Sequence, residues 1–480
     1  MGIPFDNTYA QLPERFFSRQ QPTPAPEPNL IRANLALAAE IGIAPAWISS
    51  PAALATFSGN EIPNGAEPIA QAYAGHQFGG FVPQLGDGRA ILLGEVIDIH
   101  GKRRDIQLKG SGRTVFSRGG DGKSALGPVL REYLVSEAMH ALGVPTTRAL
   151  AAVYTGEIVE REEPAPGGIF TRVAASHIRV GTFQYFAARQ DTEAIRILTD
   201  HCITRHYPEA ADADNPAVAF LENVIRAQAS LIAKWLPLGF IHGVMNTDNC
   251  AVSGETIDYG PCAFIDTFHP DKVFSFIDQN GRYAWGNQPT IAHWNLTRLA
   301  ETLLPILDPT PERAKELAQA ALEKFIHHFQ STYLDRFSKK LGLSELLDPD
   351  TRMAFLKSTL GALTKESIDF TLFFRHLTLF AKHDARSNLY QMINKRWISD
   401  WESMRKSENY SAIMQAHNPI LIPRNHRIEE AIQAAYQNDF SLFHRLADAL
   451  TKPFDENPAY ADLELAPHPE QCVKNTFCGT

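Results

Sequence analysis

Three oxygen-bearing side chains that lie close together in the sequence could hold a metal ion and accept a proton. Residues 242–249 read His-Gly-Val-Met-Asn-Thr-Asp-Asn, and a short connection leads to Ile257-Asp-Tyr-Gly. Asn249 and Asp258 offer the oxygen ligands that Mg²⁺ takes together with phosphate oxygens and water. Asp248 is a neighbouring carboxylate that could accept a proton from a hydroxyl within hydrogen-bond reach, or it could be a second metal ligand. Alternatively, these residues form two ordinary turns, which Asp, Asn and Gly favour.

Kinases combine a catalytic loop and a metal-binding segment of closely related sequence. Their loop begins His-Gly-Asp or His-Arg-Asp and ends in a metal-binding Asn, and an Asp-Phe-Gly-type segment follows. Counted from His242, Asn249 stands at the metal-binding position, but Val244 replaces the catalytic Asp. A valine cannot accept a proton, so the usual phosphoryl transfer is disfavoured. We expect His242 to brace the loop, and the chain either to be inactive or to perform different chemistry on the same ligand.

A lysine upstream could contact the phosphates of a nucleotide. Lys109 ends the run Ile106-Gln-Leu-Lys, and strand alternation places it on the same face as Gln107. In kinases a strand lysine of this type contacts phosphate and pairs with a helix Glu. Glu132 is the preferred partner and Glu137 is its competitor. The alternative is a solvated surface lysine.

Two arginines and two glycine-rich stretches could add phosphate contacts. Arg172 and Arg179 have the planar, permanently charged groups that bind phosphate. Their separation of seven residues fits a helix, β-branched neighbours also permit an extended or mixed conformation, and surface positions are an alternative. The glycine-dense segments at 75–89 and 110–122 permit close backbone approach to phosphates. Neither has the spacing of a Walker loop.

The first third of the chain predicts a small strand-rich unit. The prolines of residues 13–28 indicate an extended arm rather than a packed element. Residues 90–97 and 104–109 read as strands joined by a turn. A helix over 130–142 follows and ends before Gly143. This order of strands, loop and helix resembles the N-lobe of a kinase.

The remainder predicts a mainly helical unit from about residue 190 onward. Its clearest helix spans 311–341, where Thr310 could cap the start and Gly342 ends the helix. We therefore expect an α+β, protein-kinase-like two-lobed fold with a large mainly helical C-terminal lobe. Its expected parts are an N-terminal extension (1–60), an N-lobe with glycine-rich loops (61–170) and a C-lobe with the catalytic and metal loops and a cysteine-bearing tail (171–480).

Composition narrows the classes of function. The formal net charge of −9 argues against broad binding to nucleic acid or to anionic membranes. No run approaches the ~20 apolar residues of a membrane span. With no visible secretory signal and no CxxC pair among five cysteines, we expect a cytoplasmic protein with mostly inert thiols. Cys478 in the tail is the candidate for a redox role, because exposed thiols react more readily than buried ones.

Over nearly its whole length the chain resembles the selenoprotein O family, also called the YdiU family. The segments that carry the resemblance are Tyr73-Ala-Gly-His-Gln-Phe-Gly, Gln84-Leu-Gly-Asp-Gly-Arg-Ala, Ile106-Gln-Leu-Lys-Gly-Ser-Gly, Arg131-Glu-Tyr-Leu-Val-Ser-Glu-Ala, Ala174-Ala-Ser-His-Ile-Arg-Val-Gly-Thr-Phe, His242-Gly-Val-Met-Asn-Thr-Asp-Asn, Trp294-Asn-Leu-Thr-Arg-Leu-Ala and Pro423-Arg-Asn-His-Arg.

The resemblance implies a kinase-like fold that looks like a pseudokinase. It implies transfer of AMP, not phosphate, from ATP to Ser, Thr or Tyr hydroxyls of target proteins. The nucleotide would lie reversed in the cleft and present its α-phosphate to the acceptor. Some members use UTP with Mn²⁺ for UMP transfer, so ATP or UTP and Mg²⁺ or Mn²⁺ stay open. The competing functions are an ordinary phosphotransferase and a non-catalytic nucleotide-binding scaffold.

Matched residue by residue, the resemblance implies a role for each candidate. Asp248 would accept the proton, and Asn249 and Asp258 would bind the metal, with Asp258 also part of the nucleotide site. Lys109 would contact phosphate and pair with Glu132. The other nucleotide-site positions are Gly86, Gly88, Arg89, Asp121, Gly122, Arg172 and Arg179.

The chain departs from the family pattern in two places. Lys123 stands where Arg is frequent, which keeps the positive charge. Eukaryotic members carry selenocysteine near the C-terminus, where this chain has Cys478. Some bacterial relatives pair this tail cysteine with one that follows the Asp-Tyr-Gly segment. The resemblance therefore suggests a link between Cys478 and Cys262.

Overall fold

A computed structural model of the chain describes residues 2–406 and 408–477. The strands are β1 (Phe17–Arg19), β2 (Asn29–Ala33), β3 (Ile69–Gln71), β4 (Gly75–Gln77), β5 (Gly80–Val82), β6 (Ala90–Ile97), β7 (Arg103–Lys109), β8 (Ser124–Ala125), β9 (Arg148–Val159), β10 (Ala165–Ala174), β11 (Phe240–Ile241) and β12 (Ala263–Phe264). The helices are α1 (Leu35–Glu40), α2 (Pro45–Ile48), α3 (Pro51–Phe57), α4 (Leu126–Ala141), α5 (Val180–Ala187), α6 (Thr192–His206), α7 (Pro216–Trp235), α8 (Gln288–Leu307), α9 (Pro311–Leu341), α10 (Pro349–Lys365), α11 (Phe370–Ala381), α12 (Leu389–Met392), α13 (Lys395–Met404), α14 (Tyr410–His417), α15 (Asn425–Tyr436) and α16 (Ser441–Ala449).

One antiparallel sheet occupies the N-terminal part of the chain, with all of its strands within residues 17–174. Its strand order is β1-β3-β6-β7-β10-β9-β2, and β8 pairs with β10. Both edge strands, β1 and β2, come from the first 33 residues. The prediction of an unpacked arm over 13–28 is wrong, because β1 pairs with β3 and Phe16 is fully buried. Buried aromatic side chains in this segment outweigh the extended preference of its prolines.

The centre of the sheet carries the strands that the sequence predicted. β6 has the predicted bounds, and β7 begins one residue earlier than predicted. The predicted turn between them is confirmed, because Oδ1 of Asp98 accepts hydrogen bonds from the N–H groups of His100 (2.9 Å) and Lys102 (2.8 Å). Helix α4 packs across β9 and β10. The absence of a side chain at Gly168 permits this close approach, since a β-carbon there would lie 3.3 Å from Cα of Leu126.

The C-terminal half is helical, with α7, α8 and α9 packed against one another. The prediction of a helix over 311–341 is confirmed, and Gly342 ends it in the left-handed conformation with φ of 63°. Thr310 precedes the helix, but its side chain makes no capping hydrogen bond. Its carbonyl instead accepts from the N–H of Ala314 at 2.9 Å.

This arrangement of a sheet followed by a large helical part confirms the predicted α+β fold class. The divisions after residues 60 and 170 stay predictions. Strand β10 crosses the second of them. No helix among the described residues combines the length and apolar character that crossing a bilayer requires.

Candidate active site

Lys109, Glu132 and Arg172 form a buried ion cluster where the sheet meets α4. Nζ of Lys109 donates to Oε2 of Glu132 at 2.6 Å and also contacts the carboxylate of Asp258. Nε of Arg172 donates to Oε1 of Glu132 at 3.0 Å. The alternative of a solvated surface lysine is wrong, because Lys109 is 9% exposed. Gln107 shares the cleft-facing side of β7 with it and accepts from Nη1 of Arg172 at 3.4 Å.

Glu137, the other candidate partner of Lys109, binds different residues. Its carboxylate accepts from Nε of Arg148 at 2.8 Å and from the amide of Asn34 at 2.7 Å. It therefore secures the far end of α4 to the sheet and to α1. Glu132 is the α4 carboxylate that binds Lys109.

Asp258 contacts this cluster through Lys109, and its backbone is in a strained conformation. Its φ is 68°, in the left-handed region that Asp adopts more readily than most residues. Burial alone would raise its pKa. Lys109, Arg172 and Arg89 together outweigh burial and hold the pKa of Asp258 well below its usual range. The carboxylate is therefore charged at neutral pH and is held by cations that could also bind phosphate.

His242 connects the two loops, as the sequence predicted. Its Nδ1 accepts from the N–H of Val244 at 3.3 Å, so its Nε2 is the donor to the carbonyl of Ile257 at 2.9 Å. Burial lowers the pKa of His242, which keeps the ring neutral. The ring stacks on Trp235, with the ring centroids 5.5 Å apart. The imidazole thus braces the catalytic loop against the segment that carries Asp258.

Asp248 is a buried carboxylate that retains an oxygen without a hydrogen-bond donor among the described residues. It lies in a single turn of 3₁₀-helix over Thr247–Asn249. Its Oδ2 accepts from Nε2 of Gln77 at 3.3 Å, whereas no described residue donates a hydrogen bond to its Oδ1. Burial raises the pKa of Asp248 to about 6, and the charge of Arg179 offsets part of that rise. A buried acceptor without a donor is costly, so it points to a partner that arrives with a ligand.

Arg179 lies directly before α5, so it and Arg172 do not share a helix. Nη1 of Arg179 donates to the backbone carbonyl of Asp248 at 2.8 Å. Its Nη2 lies 3.7 Å from Oδ1 of Asp87, and its guanidinium lies 4.5 Å from the centroid of the Tyr73 ring. Both arginines are at most 5% exposed, so the surface alternative is wrong for each.

Asp258 and Asn249 offer a carboxylate and an amide oxygen, the types of ligand that suit a hard divalent cation. No three His, Cys, Asp or Glu side chains within residues 2–406 and 408–477 come together as a metal site. A metal here would therefore depend on one carboxylate, one amide and phosphate oxygens, as Mg²⁺ commonly does. Nδ2 of Asn249 donates to the carbonyl of Val244 at 3.0 Å, which leaves its amide oxygen as the ligand atom.

The glycine-rich loops pack against each other. A β-carbon at Gly86 would lie 2.2 Å from the Phe116 ring, and one at Gly88 would lie 2.9 Å from the Phe116 carbonyl oxygen. Within the second loop, a β-carbon at Gly122 would lie 2.1 Å from the carbonyl oxygen of Gly112. These glycines are thus explained by loop packing, and their contacts with phosphate stay predictions.

Arg89 and Asp121 have different surroundings. Arg89 lies close enough to Asp258 to lower the pKa of that carboxyl. Asp121 is exposed and accepts from Nη1 of Arg161 at 2.9 Å and from the N–H of Lys123 at 2.9 Å. The structure therefore does not join the Asp121 side chain to the ion cluster.

Sequence reasoning missed three residues of the site. Asp87, which lies between Gly86 and Gly88 in the sequence, has a buried side chain, and its Oδ1 has no hydrogen-bond donor among the described residues. A buried aspartate between two named glycines could have been noticed. Gln77 and Gly75 adjoin Asp248 across more than 170 positions of sequence, and no local pattern predicts such a contact.

The tail lies beside the segment that follows Asp258-Tyr-Gly. The N–H of Thr476 donates to the carbonyl of Phe274 at 2.7 Å, and its hydroxyl donates to the carbonyl of Pro261 at 2.6 Å. Cys262 is buried, and burial raises the pKa of its thiol to about 12. Cys478 lies outside the described residues, so its link to Cys262 stays a prediction.

Comparison with known proteins gives one consistent result. A family model described as "Protein adenylyltransferase SelO" matches residues 1–451. A "Protein nucleotidyltransferase YdiU" of Nitrobacter hamburgensis is 54% identical over 100% of this chain and 96% of its own length. Proteins of the same name from Rhodopseudomonas palustris and Agrobacterium fabrum are each 55% identical, over 100% and 99% of this chain and 99% of their own lengths.

Proposed function

This chain belongs to the SelO family of protein adenylyltransferases and is a protein nucleotidyltransferase, and we propose that Asp248 is its proton acceptor. The activity is transfer of AMP from a nucleotide to proteins. The acceptors we propose are Ser, Thr and Tyr hydroxyls. One observation carries the role of Asp248: it is the buried carboxylate of the catalytic loop whose Oδ1 has no hydrogen-bond donor in the described chain.

The charges of the cleft support binding of a triphosphate. Lys109, Arg172 and Arg179 are buried. Among the described residues, Glu132 and Asp258 lie within ion-pair distance of the first two, and Asp87 lies 3.7 Å from Arg179. A polyphosphate would share these cations with the carboxylates. Permanently charged, buried donors interact more strongly with phosphate than donors in water do. Binding would mainly position the α-phosphate, which is how transfer of phosphorus groups is usually accelerated.

Asn249 and Asp258 would hold Mg²⁺ or Mn²⁺. When bound, the metal would reduce the negative charge of the phosphates. Asp258 must then exchange part of its contact with Lys109 for the metal. That exchange would free the lysine for the nucleotide.

In the transfer step the acceptor hydroxyl attacks the α-phosphorus of the nucleotide. The acceptor oxygen forms a bond to the α-phosphorus, and the bond between that phosphorus and the bridging oxygen to the β-phosphate breaks. Pyrophosphate leaves with that electron pair. The hydroxyl proton passes to Oδ1 of Asp248. Val244 has no atom that could take this proton, which disfavours an ordinary phosphotransferase at this loop.

UMP transfer from UTP is the second candidate, since the names of the YdiU relatives specify nucleotidyl transfer without a base. The test is to incubate the chain with protein acceptors and ATP labelled in the α- or the γ-phosphate. Parallel arms contain α-labelled UTP, and each arm is run with Mg²⁺ or Mn²⁺. Protein labelled from the α position alone supports the proposal. Label from the γ position would show a kinase, and label from neither would favour a scaffold.

A further inference from the structure

A second cluster of cations lines a cavity that shares no residue with the cleft. The cavity has a volume of about 220 Å³ and lies where the ends of α4, α7 and α14 meet the side of α9. We call it the basic cavity. Its lining comprises three basic side chains (Lys234, Arg336 and Lys340), His417 and otherwise apolar or backbone groups, with no carboxylate.

These cations lack counter-charges within the described part of the chain. Lys234 and Arg336 have no ion pair or side-chain hydrogen bond to any residue there, and the nearby Asp335 pairs with Lys339 at 2.8 Å. The carbonyl ends of three helices offset some of the charge. Each end is equivalent to roughly half a negative charge, so together they offset part of the positive charge of the three side chains.

Lys340 is the most deeply buried of the three basic side chains. It is 4% exposed, and its Nζ has a hydrogen bond of 3.4 Å to the carbonyl of His417. The ammonium also lies 4.2 Å from the centroid of the Phe374 ring. Burial and the charge of Arg336 lower the pKa of Lys340 to about 7. A buried ammonium without a carboxylate is expensive, and a bound anion would supply the missing charge.

We propose that the basic cavity binds a small anion with two or more phosphate groups. An arginine fork and two ammonium groups around one space match the charge and the donor geometry that phosphates prefer. A volume of about 220 Å³ holds such an anion but not a protein segment. The position is suited to regulation, since α4 carries Glu132 and α7 leads through β11 into the catalytic loop.

The test is calorimetric titration of the full chain with inorganic pyrophosphate in the absence of divalent metal. We expect saturable binding to the wild type. Arg336→Gln and Lys340→Met should weaken it by about tenfold or more. Arg336 is partly exposed, so its variant should fold normally, and Lys340→Met keeps the packing on Phe374.

Two matched variants make the result specific. Lys315→Gln removes the same charge from an exposed position of α9 that has no ion pair among the described residues, and Lys109→Met removes a cation of the cleft. Lys315→Gln should bind pyrophosphate within about twofold of the wild type. Lys109→Met should lose at most a separate binding event in the cleft and keep the one that depends on Arg336 and Lys340. Absence of saturable binding in the wild type would overturn the proposal. So would equal weakening by Lys315→Gln, or loss of all binding in Lys109→Met, which would locate the anion in the cleft.

Discussion

Gly75 lies against the carboxylate of Asp248, so that a β-carbon on the glycine would be 2.7 Å from Oδ1. Gly75 begins β4, whose hairpin with β5 covers the catalytic loop. The same loop is held from the other side by Arg179, which donates to the Asp248 carbonyl. The position of the proposed proton acceptor is therefore set by main-chain and side-chain contacts from outside its own loop.

Gly75→Ala should displace the Asp248 side chain and reduce AMP transfer. We expect a loss of about tenfold or more with little change in nucleotide affinity, because misplacing a reacting group costs rate rather than binding. Gly80→Ala in the same hairpin is the control, since its β-carbon would have an ordinary 3.5 Å contact. The measurement is transfer from α-labelled ATP alongside nucleotide titration. Equal transfer by both variants would contradict the placement of Asp248.

Asp248→Asn and Asp258→Asn should fail in different ways. Asp248→Asn keeps the shape of the side chain but removes its ability to accept a proton. We therefore expect nucleotide binding within about twofold of the wild type and transfer lowered by about 10²-fold or more. The second should also weaken metal-dependent nucleotide binding by about tenfold or more, since one charged ligand is lost. Calorimetry with and without Mg²⁺, combined with the labelling assay, separates them. Normal transfer by Asp248→Asn would remove it as the base.

Glu132→Gln should lower both stability and activity. Two buried cations, Lys109 and Arg172, would share one remaining carboxylate, Asp258, at a cost of roughly 1–3 kcal/mol in unfolding free energy. Lys109 would also lose one of the two carboxylates that position its ammonium group. Glu137→Gln is the comparison on the same helix, and it should lower stability while transfer per folded molecule is retained. Thermal unfolding and transfer rates provide the two readouts, and parallel behaviour of both variants would contradict this role of Glu132.

Asp105 should make the free energy of unfolding fall more steeply as the pH decreases below about 4. Burial alone would raise its pKa, but Arg205 and His177 outweigh burial and lower the pKa of Asp105 to about 2. A carboxyl with a lowered folded-state pKa stabilises above its unfolded pKa of about 4, and this stabilisation is lost as the pH falls toward 2. The difference in unfolding free energy between wild type and Asp105→Asn should therefore narrow by roughly 1 kcal/mol between pH 6 and pH 3. A difference that does not change with pH would contradict the assignment.

The tail cysteine should be linked to Cys262 after oxidation. Thr476 donates to the carbonyl of Pro261, so the described end of the tail is already held beside Cys262. Peptide mapping of oxidised protein should give one linked pair, lost in Cys262→Ser and Cys478→Ser and kept in Cys472→Ser. A pair that includes Cys472, or no change of mass on reduction, would count against the link.

Local sequence patterns predicted the strands and helices well where the periodicity of apolar residues agrees with the packing. The bounds of β6 and α9 follow from alternation and helical spacing, and the pairing of Lys109 with Glu132 follows from the order of strand and helix. Contacts between distant segments were not predictable. The approach of Gln77 to Asp248 depends on a hairpin folding over a loop 171 residues away, and neither segment contains information about the other.

The position of β1 and β2 has a consequence for synthesis of the chain. They form the two outer edges of the sheet, yet they leave the ribosome before the five strands of residues 69–174 that separate them. β1 can pair only after β3 has emerged, and β2 only after β9 has emerged. Completion of the sheet is then a late, long-range event, of the kind that slows folding and exposes unpaired strand edges to aggregation. Nascent chains arrested before residue 174 should accordingly be the form of this protein that most needs a chaperone.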